Sequence, residues 1–407
     1  MPIGWFVALR FMWEQRSQNA LMASGVGVGV GVLVFISALI GGLQNSLIER
    51  TTGSQAHVTV SPLEQEGRPV LQGSPDDVTY LRRIERPVQR IQSIAEWSKL
   101  DRNIGTVAGV AGTVPIASGP ALAVRGSTER AVLIMGADVD RLDGVIPVAK
   151  NLKKGQLSVN GTDVVLGVEL AKDLGVGVGD RVRLRTARGD GQIFTVRGLL
   201  DMGSQGINRT WALMSMRNAQ TMLGLGGAAT SILVRVKDIY AADVAAERIG
   251  KLTGLTSRSW MESNAQLLTA LQSQTASTTM IRFFVIISVA IGIASVLVVS
   301  VIQRSKEIGI LRAMGTSRGG ILRIFLIQGA LVGLLGSGIG CVLGAALSLG
   351  FRAGVSNADG TPLFPLELTS ELFLSSAAIA VSAGIIAAII PARRAARLDP
   401  AEAIRYG

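Results

Sequence analysis

Of the 407 residues, 48% are hydrophobic and 17% charged, and the 40 lysines and arginines exceed the 29 acids by 11. A chain this apolar is neither disordered nor collagen-like. One cysteine, Cys341, and one histidine, His57, exclude an internal disulfide framework and any multi-cysteine or histidine-cluster metal site.

The basic excess is compatible with nucleic acid, a membrane surface or an acidic partner, so its position along the chain decides. The chain starts with a short amphipathic segment, 1–18, expected in the cytoplasm. The first uncharged run, Ser17 to Ile48, follows. A bilayer core of about 30 Å needs roughly 20 apolar residues of helix, so a first span is expected over 19–44. A cleaved signal peptide is the rival, but the apolar stretch Ala20 to Leu43 is longer than a signal h-region of roughly 7 to 15 residues. The span carries Gly25, Gly27, Gly29 and Gly31. Gly25 with Gly29, and Gly27 with Gly31, form two small-xxx-small pairs that predict close helix packing.

The segment 45–281 is large enough to be a domain with its own core. Its basic residues are spread along it, with no basic stripe interleaved with aromatics, which sets nucleic acid aside. Strands are predicted at Gln55 to Val60, Ala131 to Gly136, Asp163 to Leu166, Arg181 to Leu184, Ile193 to Gly198 and Ser231 to Val236. Asp76 to Ala95 has helical spacing, interrupted by Pro87. The expected fold is a mixed α/β domain. The glycine-rich Leu174 to Asp180 and Gly105 to Gly112 lack a Lys-Ser/Thr and read as turns, not phosphate loops. Asp138, Asp140 and Asp143 lack the glycine and glutamate of a calcium loop and read as a solvated turn. His57 and Cys341 read as structural.

Three further uncharged runs follow: Phe283 to Gln303, Ile324 to Phe351 and Leu372 to Ala392. They predict spans over 282–303, 324–351 and 372–392. The third contains Gly336, Gly340 and Gly344, again at helix-packing spacing. Buried helices of a soluble protein are the alternative, and runs of this length without a charge argue against it. The intervening loop 304–323 has five basic residues against the single acid Glu307, and the tail 393–407 has four. The loop 352–371 has one basic residue and three acids. Positive-inside bias therefore predicts a multi-pass inner-membrane protein with both termini and the 304–323 loop in the cytoplasm and 45–281 outside. The cores of the spans contain no acid, lysine, arginine or histidine, which disfavours coupling to an ion gradient. No nucleotide cassette and no catalytic or metal-ligating set is encoded, so the energy must come from a partner.

The loop itself is RSKEIGILRAMGTSRGGILR, with Ile308, Leu311 and Met314 spaced along one predicted helix face before Gly315. That string, the closing PARRAARLDPAEAIRYG and the layout of one span, a large domain and three more spans resemble the FtsX/MacB-type permeases of ABC transporters. The start (VALRFM), VVLGVELAKDLGVGVGDRVRL and AEAIRYG are most similar to the LolC/LolE lipoprotein-release permeases. The resemblance implies that Glu307, Ile308, Gly309, Ile310, Leu311, Arg312, Ala313, Met314 and Gly315 dock on a separate ABC ATPase, which binds ATP and Mg. It also implies a homodimer or a heterodimer with a paralogous permease, contact with membrane lipids and hydrophobic cargo, and a carrier or adaptor outside. The basic residues around Pro391 to Arg397 are expected to close the cytoplasmic side. The short turn RTARGDGQ at 185–192 departs from the longer carrier-binding hairpin of the LolC type. Three functions remain open on this resemblance: release of lipidated cargo, MacB-like efflux of drugs, peptides or glycolipids, and FtsX-like regulation of an extracytoplasmic hydrolase.

Overall fold

A computed structural model describes residues 3–14, 16–63, 91–187, 189, 191–355 and 366–399. In chain order the elements start with α1 (Ile3–Glu14) and α2 (Arg16–Gly53). There follow β1 (Val58–Ser61), α3 (Trp97–Gly105), β2 (Val110–Arg125), β3 (Thr128–Ala137), α4 (Val139–Val145), β4 (Leu152–Gly155) and β5 (Asp163–Gly167). Next come α5 (Val168–Leu174), β6 (Arg181–Arg185), β7 (Gly191–Leu200), α6 (Gln205–Thr210), β8 (Trp211–Ser215) and α7 (Met216–Leu223). The series continues with β9 (Ser231–Val236), α8 (Ala242–Thr253), β10 (Thr256–Ser259) and α9 (Trp260–Ser263), and ends with α10 (Ala265–Gln303), α11 (Ser305–Ala313), α12 (Arg318–Gly354) and α13 (Ser370–Arg397). Contacts divide the chain into two compact units, Ile48–Leu268 on one side and Met1–Leu47 with Thr269–Gly407 on the other.

In the helical unit, α2, α10, α12 and α13 are long and apolar enough to cross a membrane. Each is longer than the uncharged run that marks it: α2 has 38 residues, about 57 Å at 1.5 Å per residue. The extra turns carry polar residues such as the Thr and Ser of Thr275 to Thr279, which continue a helix once outside the hydrocarbon. Ser317 and Thr369 cap α12 and α13, their side chains accepting from the backbone N–H of Gly320 and Leu372. The buried seam joins Val26, Val30 and Val34 of α2 to Ile293 and Leu297 of α10, Phe325 and Val332 of α12 and Ala388 of α13. Phe283, Phe284, Val342, Ile386 and Ile390 point outward, as apolar residues do where the surrounding solvent is lipid.

The described residues of the second unit form ten strands. β10, β1, β9 and β2 form an antiparallel ladder, and β2 then pairs with β3. From β3 the order runs through β8, β5 and β7, and β6 joins β7 back to β2, closing a ring of six strands. The ring encloses Ile134, Leu166, Leu184, Phe194 and Met214. β2 serves both sheets, pairing with β9 over Val110–Ile116 and with β3 from Ala117 to Arg125.

All six predicted strand cores lie in strands, although β1 starts at Val58, so His57 sits just before it. Its backbone still extends the ladder, its N–H donating to Val234 and its carbonyl accepting from Trp260 N–H. The turn predicted over Gly105 to Gly112 is found at 106–109, with Gly109 at φ +93°, and is corrected at its ends: Gly105 ends α3 and Gly112 is inside β2. Strands β2, β4, β8 and β10 were not predicted; β2 is rich in Ala, Gly and Pro, which have weak strand preference. Leu174 to Asp180 is a turn, with Gly179 at φ +95° and the Asp180 carboxylate accepting from Gly177 N–H. Asp138 caps α4, accepting from the N–H groups of Asp140 and Arg141, and Asp143 accepts from Ala149 N–H. The helical pattern predicted from 76 onward falls largely on 64–90, outside the described residues.

Candidate functional site

Two features of the helical unit bear on function: the α10–α11–α12 junction and the groove between α2 and α10.

At the junction, Arg304 takes a non-helical conformation (φ −106°, ψ 14°) that separates α10 from α11. Helix α11 carries Glu307 in its first turn and Arg312 in its last, matching the helix dipole at both ends. It ends at Met314 and Gly315, whose φ of +95° needs a residue without a β-carbon. Gly315 N–H donates to Arg312 carbonyl and Thr316 N–H to Leu311 carbonyl, which turns the chain into α12.

The nine residues implied by the resemblance divide into two sides. Ile308 and Gly309 are buried, and Ile308 packs in the core with Ile321 and Phe325. Leu311 is half-buried, and the half-buried Arg312 donates to the Leu398 carbonyl, tying α11 to the end of α13. Glu307, Ile310, Ala313, Met314 and Gly315 are exposed, Ile310 by 46% and Met314 by 74%. The predicted common face of Ile308, Leu311 and Met314 is therefore corrected. Met314 N–H still bonds to the Ile310 carbonyl, so at about 100° per residue Met314 lies about 40° from Ile310 and about 120° from Ile308, on the outward side. Arg393, Arg394 and Arg397 are exposed on the last turns of α13, and Pro391 is buried.

The groove between the first and second spans has a volume of about 390 Å³. Leu21, Gly25, Val28 and Gly29 form one wall and Val285, Val289, Gly292 and Val296 the other, with Ser288 the one hydroxyl among the lining residues and no charge. Such a surface accepts hydrocarbon and offers nothing to an ion or a sugar.

The glycines explain why the groove lies there. Residues two apart on a helix point about 200° apart, so the alternating series serves two sides. A β-carbon at Gly27 would lie 2.7 Å from Ile339 Cγ2, and one at Gly31 would lie 3.3 Å from the Gly340 carbonyl oxygen. From α12, a β-carbon at Gly340 would meet Val30 Cβ at 2.5 Å and one at Gly344 would meet Val34 Cβ at 2.7 Å, while Gly336 abuts Val26. Gly29 faces the other way, against Val289 of α10. Gly25 is corrected as a packing residue: a β-carbon there meets nothing within 4 Å, because it opens onto the groove. The sequence reading also missed Gly329, Gly333 and Gly384, which bring α12 and α13 into backbone contact. The four-residue spacing from Gly329 through Gly333 was the available signal.

In the other unit, His57 Nδ1 lies 3.1 Å from the Val236 carbonyl oxygen. Burial pushes its pKa down, against the hydrogen bond with Val236 and together with the charge of Arg235. Asn208 is buried and accepts from Met202 N–H while donating to Asp201. That donation, with the N–H of Gly203 and the charge of Lys153, holds the Asp201 carboxyl below its usual range against a partial burial cost.

Residues 19–252 match the MacB-like periplasmic core domain, and residues 279–400 match the FtsX-like permease C-terminal region. The chain is 28% identical to "Lipoprotein-releasing system transmembrane protein LolC" of Xylella fastidiosa, with 100% of this chain and 99% of the relative covered. It is 23% identical to the LolC protein of Neisseria meningitidis, over 98% of each chain. The "Macrolide export ATP-binding/permease protein MacB" of Neisseria gonorrhoeae is 32% identical over 43% of this chain and 27% of its own length. With a MacB-like core domain between its first two spans and an FtsX-like region over the rest, the chain belongs to the FtsX/MacB-type permeases of ABC transporters, multi-pass proteins of the inner membrane.

Proposed function

We propose that the chain is the permease subunit of a complex that releases lipoproteins or other lipidated cargo from the inner membrane. The uncharged groove between α2 and α10 carries this reading, since its aliphatic walls suit acyl chains. Likeness to lipoprotein-releasing permeases along the whole chain supports it, whereas the MacB relative shares less than half of it. ATP and Mg bind to a separate ATPase, which docks on the exposed side of α11 through Ile310, Ala313 and Met314. Closure of the ATPases pushes α11, and the push widens or narrows the groove. Two copies, or this chain with a paralogue, enclose the cargo. The basic residues of 304–323 and of the tail favour a cytoplasmic position for both, with the α/β unit outside.

Depletion of the protein followed by membrane fractionation tests this reading. Outer-membrane lipoproteins should accumulate in the inner membrane, and correct sorting after depletion would refute it. MacB-like efflux is the second reading, favoured by the match over 19–252. It predicts normal sorting with increased sensitivity to exported compounds. The hairpin joining β6 to β7 leaves only 186–190 between the strands, so a carrier would have to bind elsewhere on the outer unit or through the paralogue.

A further inference from the structure

Arg304 is 4% exposed although it carries a permanent charge. Its Nη2 donates to the Phe11 carbonyl at 3.0 Å, and its guanidinium lies 4.2 Å from the centroid of the Phe11 ring. Nη1 is 3.4 Å from Glu14 and 3.5 Å from Glu307. Thus one side chain at the α10–α11 break holds the C-terminal half of α1 and the first turn of α11 together. The other end of this linkage is equally specific. Asn19 of α2 donates to the Met12 carbonyl at 2.9 Å. In one continuous helix these residues would be about 10 Å apart along the axis, so the chain bends here and α1 is folded against the start of the first span. Ala8 and Phe11 share a core with Ile308 of α11.

We propose that Arg304 is a positioning residue that yokes α1, and through it the first span, to the docking helix α11. The inference rests on the reading that α11 receives the push of the ATPase. A buried guanidinium stripped of its partners is strongly disfavoured, so α1 follows Arg304 when α11 is displaced. Both walls of the groove are thereby reached by one stroke. The second span is continuous with the junction through α10, and the first is joined to it through α1. The fork geometry matters: carbonyl, ring and two carboxylates are engaged at once, which an ammonium group at this position would not reproduce.

The test uses the full chain assembled with its ATPase in nanodiscs, in a Cys341→Ser background. Spin labels are placed at the exposed positions Trp13 and Leu343. Trapping with ATP and vanadate should shift the label distance in the parent protein. In Arg304→Met the shift should be lost while ATP hydrolysis continues. Replacing Glu14 and Glu307 by cysteine in the Arg304→Met chain, and joining them with a short bis-maleimide, should, in complexes that still hydrolyse ATP, restore an ATP-dependent shift read from labels of orthogonal chemistry. A shift that persists in Arg304→Met, or its absence from the parent, overturns the yoke, as does failure of the cross-link to restore it. Met314→Asp is the independent control. If it leaves hydrolysis unchanged, the docking reading fails; if it suppresses hydrolysis while Arg304→Met keeps the shift, the yoke alone fails. Should Arg304→Met not assemble, Phe11→Leu with Glu14→Gln removes the ring and the carboxylate on the α1 side and leaves the Phe11 carbonyl and the Arg304–Glu307 pair; the shift should then be smaller than in the parent, and an undiminished shift overturns the yoke.

Discussion

Gly329 of α12 and Gly384 of α13 meet backbone to backbone: a β-carbon on Gly329 would stand 2.5 Å from the Gly384 carbonyl oxygen. Neither helix can give way without parting the pair. Gly329→Val should therefore destabilise the helical unit by about 1–3 kcal/mol or more, the usual range for overpacking a close-packed site. Gly25→Ala, at the open groove face, should be close to neutral. Thermal unfolding in detergent would decide, and equal effects of the two changes would contradict the assigned faces.

For docking, Met314→Asp and Glu307→Lys are expected to lower transport-linked ATP hydrolysis. A loss of about 1.4 kcal/mol in docking free energy corresponds to tenfold weaker binding. Ile308→Ala should behave differently, because that side chain is fully buried. It should lower stability by about 2–5 kcal/mol. ATPase assays and melting curves on the same preparations separate the two classes. A stably assembled Met314→Asp complex with unchanged hydrolysis would remove this residue from the interface.

Acid should weaken the α/β unit through His57. Its folded pKa lies below the ordinary 6.5 because burial disfavours the imidazolium, so the unfolded chain takes up a proton at a higher pH than the folded one. This contribution is complete above about pH 6.5 and declines as pH falls through the unfolded value towards the folded one. Denaturation midpoints of the full chain at pH 7.5 and 5.5, followed by tryptophan fluorescence, should differ more for the parent than for His57→Gln. Parallel pH profiles would rule out His57 as the origin.

Gln328, 1% exposed in the third span, has a side-chain oxygen without a hydrogen-bond partner among the described residues. Gln328→Met keeps the length of the side chain and removes the unsatisfied acceptor. Stability should rise by about 1–3 kcal/mol. A lower melting temperature in detergent would show that the amide is satisfied in the membrane.

Much of the architecture is written one-dimensionally. The absence of charge between Arg282 and Arg304, or between Arg323 and Arg352, is visible without any knowledge of neighbours, because the bilayer imposes it residue by residue. Strands such as β5 and β9, rich in Val, Ile and Leu, announce themselves for the same reason. β2 does not: its Gly112, Pro115, Gly119 and Pro120 argue locally against a strand, and only its pairing on two sides holds it extended. The glycine series was legible as packing but not as direction, since Gly25 and Gly29 differ only in what stands opposite. Gly384 has no glycine four residues away and gains its meaning from Gly329. Arg304 is the extreme case. Its partners Phe11 and Glu14 lie 293 and 290 residues away, so as a sequence feature it was only the end of a span.

The two sides of α2 are held with unequal depth. Towards α12, three successive glycines admit valines almost to the opposing backbone, so sliding the first and third spans apart would open voids along the entire seam. Towards α10, one glycine receives the tip of Val289 beside the groove, while Val26 packs with Ile293 and Gln44 and Ser37 bond to Thr275 and Arg282 further along. The contact with α10 is thus interrupted by a groove, whereas the contact with α12 is continuous over Gly336, Gly340 and Gly344. The bundle has one grooved seam and one closed seam, and an acyl chain entering sideways from the bilayer would meet the grooved one.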